Sequence, residues 1–192
     1  IPTSITPMNG GMLISMAPDF IFLKDTDGDD VADVREVIMT GWGNSDTHAG
    51  PSNLKYGFDN KIWGVLGYSG FRGEVSGVNH SFGQGVYRFE PSGENLEYLG
   101  NTSNNTWGLG FTEDFETFIS TANGQHSVYF AMANNFLKRP VFQGSANTVH
   151  GIDTHYDMPH LTPFLRQVDW FGSYTAAAGH NFYTARSFPK NY

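Results

Sequence analysis

The chain has 192 residues, no cysteine and a net charge of −8. That length carries a sizeable core. The composition excludes disulfides, thiolate zinc and haem attached through Cys-x-x-Cys-His, and the missing basic stripe argues against nucleic acid and anionic membrane surfaces as partners. Glycine is frequent at 23 and aromatics reach 15%, whereas charged residues are only 16%. Many glycines with many aromatics fit short strands joined by tight turns.

In chain order, Phe20–Leu23 reads as a strand, then an acidic stretch with the turn Asp27-Gly28, then a strand from Glu36 to Met39. His48 follows in a small-residue turn ahead of a strand at Leu54–Tyr56, a tight turn at 57–61 and a strand at Ile62–Leu66. Gly85–Phe89 and Leu96–Leu99 flank the turn Pro91-Ser92-Gly93, and Phe118–Ser120 precedes Asn123-Gly124. Helical periodicity is nearly absent, so the fold class is all-β. No apolar run is long enough to span a bilayer. Residues 131–168 are broken by Asn134, Asn135, Pro140, Gly144, Pro159 and Pro163 and read as an irregular insertion.

A weak repeat organises the chain. Leu54-Lys55-Tyr56-Gly57-Phe58-Asp59 recurs as Leu109-Gly110-Phe111-Thr112-Glu113-Asp114, an offset of 55, and Trp63 then matches Phe118. Such a period, built from four short strands, predicts β-propeller blades, about four in this length. A β-sandwich also shows short strands at regular spacing and is the alternative. The chain begins at Ile1 and stops soon after an apparent strand start. The expectation is an incomplete propeller, 1–192, with exposed strand edges and poor solubility in isolation.

Residues 25–36 read DTDGDDVADVRE. Calcium takes six to eight oxygen ligands, and closely spaced carboxylates on a tight loop supply them. The expected ligands are Asp25, Asp27, Asp29, the Val31 carbonyl, Asp33 and Glu36, in a structural role. The alternative is a solvated acidic turn. Asp30 stands where calcium hairpins of the form D-x-D-G-D-G-x-x-D carry a second glycine, so it must accept a positive φ. By chemistry alone, His48 is a candidate general base with Asp46 as its orienting group. His80, His126, His150, His155 and His160 read as loop residues, and Trp107 and Trp170 as packing or rim aromatics.

These residues carry a resemblance. The calcium pattern resembles hairpins of integrin-type propeller repeats. The run from His48 to Trp63 resembles the H-x-G-x-L-x-F-G-P-D-G-x-L-Y segment of glucose/sorbosone dehydrogenases, six-bladed quinoprotein propellers. Asn104–Phe111 is similar to that family's R-N-P-Q-G-L-x-F segment, Ala122–Gln125 to its active-site calcium loop, and Ala178–Pro189 to a late blade start. Residues 18–43, 46–71 and 166–189 resemble more narrowly the membrane-bound dehydrogenase domain of planctomycete and verrucomicrobial proteins. The resemblance implies a sugar or alcohol dehydrogenase in the periplasm or at the cell surface, using pyrroloquinoline quinone and passing electrons to a c-type haem module. It implies His48 as the base, Asn105 as a polar group by the cofactor, and Asn104, Asn123, Gly124 and His180 as cofactor-binding residues. Asn104 stands where those quinoproteins have arginine, and a neutral amide cannot replace that fixed cation. The other reading of the same scaffold is a glycan- or protein-binding module without turnover.

Overall fold

The computed structural model describes residues 1–131, 149–151, 163, 174 and 177–189. They form fourteen short strands and one 3-10 turn, Thr47–Ala49. The first sheet is β1 (Ser4–Met8), β2 (Gly11–Met16), β3 (Asp19–Lys24) and β4 (Val34–Thr40), in that order. The second contains β5 (Pro51–Tyr56), β6 (Ile62–Leu66), β9 (Gly85–Phe89) and β10 (Glu97–Asn101), ordered β10-β9-β6-β5. Between β6 and β9 the chain makes a separate ribbon of β7 (Phe71–Val75) and β8 (Val78–Phe82). The third sheet is β11 (Thr106–Phe111), β12 (Thr117–Thr121), β13 (Val128–Phe130) and β14 (Val149–Gly151). Every pairing is antiparallel, and no described sheet closes on itself.

Turn chemistry fixes the hairpins. Asn9-Gly10 joins β1 to β2 with φ of 49° and 75°, and Ser76-Gly77 joins β7 to β8 with 52° and 76°. Two-residue turns with both φ positive match the twist of the flanking strands. The repeat seen in the sequence is structural: β5–β6 and β11–β12 superpose in numbering at the offset of 55. Gly57 N–H donates to Lys61 O and Asn60 N–H to Gly57 O; Thr112 N–H donates to Glu116 O and Phe115 N–H to Thr112 O. Asn60 and Phe115 take the same left-handed conformation, φ 60° and 65°. Asparagine tolerates that region; a bulky ring does not. Ring contacts with Phe58, Trp63 and Phe111, at centroid distances of 5.2, 5.5 and 5.1 Å, hold Phe115 there.

The second sheet is buried on both faces. Ile62 and Leu66 of β6 join Leu13, Phe20, Phe22, Met39 and Trp42 in one core; Trp63 and Val65 join Leu109, Ile119 and Val128 in another. The two-residue alternation of a strand sends neighbouring side chains to opposite cores. Trp42 stacks on Phe20 at 4.4 Å and its ring meets Phe71 of the ribbon at 4.7 Å. Three stacked sheets result, rather than the two of a sandwich.

The first strands of the sheets are neighbours: β1 lies beside β5, and β5 beside β11. Polar side chains join them. Leu54 N–H donates to Ser4 Oγ at 2.9 Å, Asn53 Nδ2 to Trp107 O at 2.5 Å and Lys55 Nζ to Leu109 O at 2.8 Å. Asn53 and Lys55 are two apart, as are the carbonyls they reach, so one edge of β5 is laced to β11.

Several expectations need correction. β1, β2 and the β7–β8 ribbon were not expected. His80 lies in β8 and His150 in β14, not in loops. Within 131–168, the strand β14 interrupts a stretch read as irregular, and most of the rest, with His155, His160 and Trp170, lies outside the described residues. Residues 177–189, read as a strand start, carry no strand.

Candidate functional site

The histidine turn is organised by Asp46. This residue caps the 3-10 turn from an extended conformation (φ −142°, ψ 121°), and its Oδ1 accepts the His48 N–H at 2.8 Å. The same oxygen lies 3.5 Å from His48 Nδ1. Tyr68 donates its hydroxyl to Asp46 Oδ2, and Ser69 Oγ donates to Asp46 O at 3.0 Å. The Tyr68 hydroxyl, followed by the His48 N–H, holds the Asp46 carboxyl below its ordinary range, while Asp46 pushes the Tyr68 phenol up. A carboxylate beside Nδ1 is placed to orient the imidazole. The His48 side chain is 80% exposed, and its ring runs parallel to Trp107, 11° apart in plane with centroids at 6.4 Å.

Both rings line a cleft of about 390 Å³ with Thr3, Ser52, Asn53 and Gly179. It lies at the leading ends of β1, β5 and β11. Its described lining contains no lysine or arginine.

Asn105 does not line this cleft. It is buried beneath the turn, where its Nδ2 donates to His48 O and its Oδ1 accepts the Tyr68 N–H, each at 3.2 Å. It clasps the histidine turn to β11 and is a positioning residue. Gly67 makes room for it: a Cβ there would stand 1.7 Å from Asn105 Oδ1 and 2.6 Å from Ala49 O.

Asn104 faces elsewhere. Its Nδ2 donates to Asn123 Oδ1 at 2.8 Å and to Asn123 O at 3.2 Å, and its Oδ1 accepts the Asn105 N–H at 2.6 Å. Thr121 Oγ1 donates to the same Asn123 carbonyl at 2.9 Å, and Gly124 completes the turn at φ 86°. Asn104, Asn123 and Gly124 thus tie two loops together away from the cleft lining. His180 also lies apart. Its ring lies over Gly108 and its Cβ and carbonyl over Gly110 of β11, its Nε2 meets Ser127 Oγ at 2.9 Å, and its carbonyl accepts Lys55 Nζ at 3.0 Å. Burial, then Lys55 and His126, lower its pKa and favour neutral imidazole. Burial likewise lowers the Lys55 pKa.

The residues expected to hold a quinone therefore do not converge. Pyrroloquinoline quinone is a tricarboxylate, and multiply charged anions call for cationic forks or helix N-termini. The described cleft offers neither, and the polar atoms of Asn104 are engaged with protein. These residues do not fit that cofactor.

The acidic loop does gather its donors. Oxygens of Asp25, Asp27 and Asp29 lie within 4.8 Å of one another. Asp25 Oδ1 accepts the Gly28 N–H at 2.7 Å and the Asp27 N–H at 3.1 Å, and Oδ2 accepts the Asp30 N–H at 3.0 Å. Those amides, Gly28 first, lower the Asp25 pKa. Asp30 takes the positive φ expected of it, 66°. Asp33 is turned to Thr26, accepting from its N–H at 2.7 Å and its hydroxyl at 2.6 Å, which lowers its pKa. Glu36 lies inside β4 opposite Phe22, and Val31 is exposed in the loop. Three of the six expected ligands come together, and they suit a hard divalent cation.

The sequence reading missed Tyr68 and Asn53. Neither has a local signal, because each meets its partner across strands. Among curated proteins nothing matches this chain. Among solved structures it is similar to a luciferin-regenerating enzyme, with a TM-score of 0.47 and 10% identity over 67% of this chain; the chain spans 41% of that protein. The family description that matches assigns no activity. The chain belongs to the family of domains of unknown function DUF7133, whose model matches it over residues 1–192.

Proposed function

We propose that the chain is part of a propeller-type domain whose axial cleft binds a small neutral hydroxylated molecule, a sugar or alcohol, with His48 as proton acceptor. The propeller reading is supported by the adjacent first strands of three stacked four-stranded sheets. The ligand reading rests on one observation: His48 and Trp107 present parallel rings in a cleft whose other lining residues are Ile1, Pro2 and Asn53 with small or hydroxyl-bearing ones. Pockets of this kind use apolar walls for affinity and a few polar groups for orientation. The described lining lacks the cations an anionic ligand would need.

The Asp46–His48 pair favours a second reading, dehydrogenation of the bound hydroxyl, with a c-type haem module as electron sink in a periplasmic or cell-surface protein. That reading needs a redox group which Asn104, Asn105, Asn123 and His180 do not hold together. We further propose that Asp25, Asp27 and Asp29 hold a structural calcium ion, supported by the convergence of their oxygens.

The test is dye-linked turnover and equilibrium binding of sugars and alcohols by the full-length protein. Binding that survives His48→Ala while turnover disappears would establish the base. Binding without turnover in the wild type leaves a recognition module and removes the dehydrogenase reading.

A further inference from the structure

Asn53 reaches the cleft from an irregular backbone. It takes the left-handed conformation at φ 55°, and the register of β5 on β6 breaks between Ser52 and Lys55. The register of β11 on β12 breaks between Thr106 and Gly108, around Trp107. A bulge re-aims a side chain, and bulges gather beside functional sites. Both of these bulges place a residue, Asn53 and Trp107, in the lining of one cleft. Glycine adopts a positive φ at least as readily as asparagine. What asparagine adds at this position is its amide.

Only one end of that amide is engaged. Nδ2 carries two protons. It donates to Trp107 O at 2.5 Å and to Ser52 Oγ at 3.1 Å. A backbone carbonyl can only accept, so the contact with Trp107 fixes which end of the amide is nitrogen. The other end, Oδ1, is an acceptor. Among the described residues no group donates to it, and it is not sealed in the interior. The Thr3 hydroxyl in the same lining is spent within the protein, on Pro51 O at 2.6 Å and Ser15 Oγ at 2.9 Å.

We propose that Asn53 is a specificity-determining residue of the cleft: its Oδ1 accepts a ligand hydroxyl beside the Trp107 ring and selects sugars or alcohols that offer a donor there. This rests on the ligand reading above. The bond from Nδ2 to Trp107 O holds acceptor and ring in fixed relation, so stacking and hydrogen bonding orient one ligand together.

The test is a calorimetric titration of the full-length protein with glucose, galactose and mannose, and with analogues carrying fluorine in place of each hydroxyl in turn. Fluorine keeps the size of the hydroxyl and donates no hydrogen bond. Wild type and Asn53→Gly are compared, since glycine accepts the backbone conformation. At one ring position fluorine should cost the wild type about tenfold in affinity, the scale of one hydrogen bond left unmade. In Asn53→Gly that cost should shrink below about twofold, while costs at other positions persist. The wild-type scan stands without the variant: equal affinity for a sugar and all its fluorinated analogues would overturn the inference and leave the ligand reading in place. The same fluorine profile in Asn53→Gly, or loss of all binding by that variant with its fold intact, would make Asn53 only a prop for Trp107 and also overturn it. No binding of any unmodified sugar by the wild type would remove both readings.

Discussion

The acidic loop and the histidine turn are both short, exposed and organised by an aspartate, yet they are built differently. Asp25, Asp27, Asp29 and Asp33 bond only to groups between residues 26 and 31. The loop is self-contained. The histidine turn depends on Tyr68, which follows β6, and on Asn105 and Trp107 at the start of β11. A local site survives changes to the sheet packing; an assembled site does not.

The strongest way to separate them is Gly67→Ala. Its Cβ would collide with Asn105 Oδ1 and with the Ala49 backbone, so the clasp or the turn must shift. We expect a loss of about 3 kcal/mol, the upper end for overpacking, together with loss of ligand binding. Calcium-dependent stabilisation should persist in the folded fraction. Chemical denaturation with and without calcium reads both effects.

Asn105→Leu is the next probe. It leaves the His48 carbonyl and the Tyr68 amide without a partner, at a cost of about 1–3 kcal/mol. Ligand affinity should fall with it. Affinity unchanged at that stability cost would show that the turn holds its shape without the clasp.

Asp27→Ala addresses the local site alone. Calcium should raise the Tm of the wild type, and the substitution should abolish that rise while leaving cleft binding intact. A wild type whose Tm ignores calcium removes the metal proposal. Acid offers a related test. The pKa values of Asp25, Asp33 and Asp46 are lowered in the fold, so their contribution is present above the ordinary value of 3.8 and is lost as pH falls through the lowered values. Calcium-free unfolding scans should show stability declining below that point.

Tyr68→Phe should have the smallest effect. The bond to Asp46 lies at an exposed position, so stability should hardly change. Losing the hydroxyl should raise the Asp46 pKa toward its ordinary value, because that hydroxyl is the main cause of its lowering. A carboxyl titration by NMR checks the direction.

The same contrast explains what the sequence disclosed. The acidic loop and the 55-residue hairpin repeat were legible because their determinants are close in sequence: carboxylate spacing, and matching turns at 57–61 and 112–116. β1 was hidden because its alternation is inverted. Thr6 is buried and Ile5 exposed, which makes sense only when both faces of the first sheet are considered. Ser15 of β2 is likewise buried, donating to Pro51 O at 2.9 Å across sheets. His48 was legible as a turn histidine, but its pairing with Trp107 was not, since that needs β5 and β11 side by side. Asn104, Asn105 and His180 were assigned to a cofactor by motif resemblance; their hydrogen bonds make them ties between loops and strands.

The most direct measurement is a calorimetric titration of the full-length protein with neutral monosaccharides and polyols, wild type beside Trp107→Ala. A sugar stacked on the indole should lose about 0.5–1.5 kcal/mol of binding with that ring, roughly twofold to twelvefold in affinity. The account predicts saturable binding of at least one such ligand, weakened by Trp107→Ala and unchanged by Asp27→Ala. No binding by any neutral ligand, or equal binding by Trp107→Ala, would contradict it.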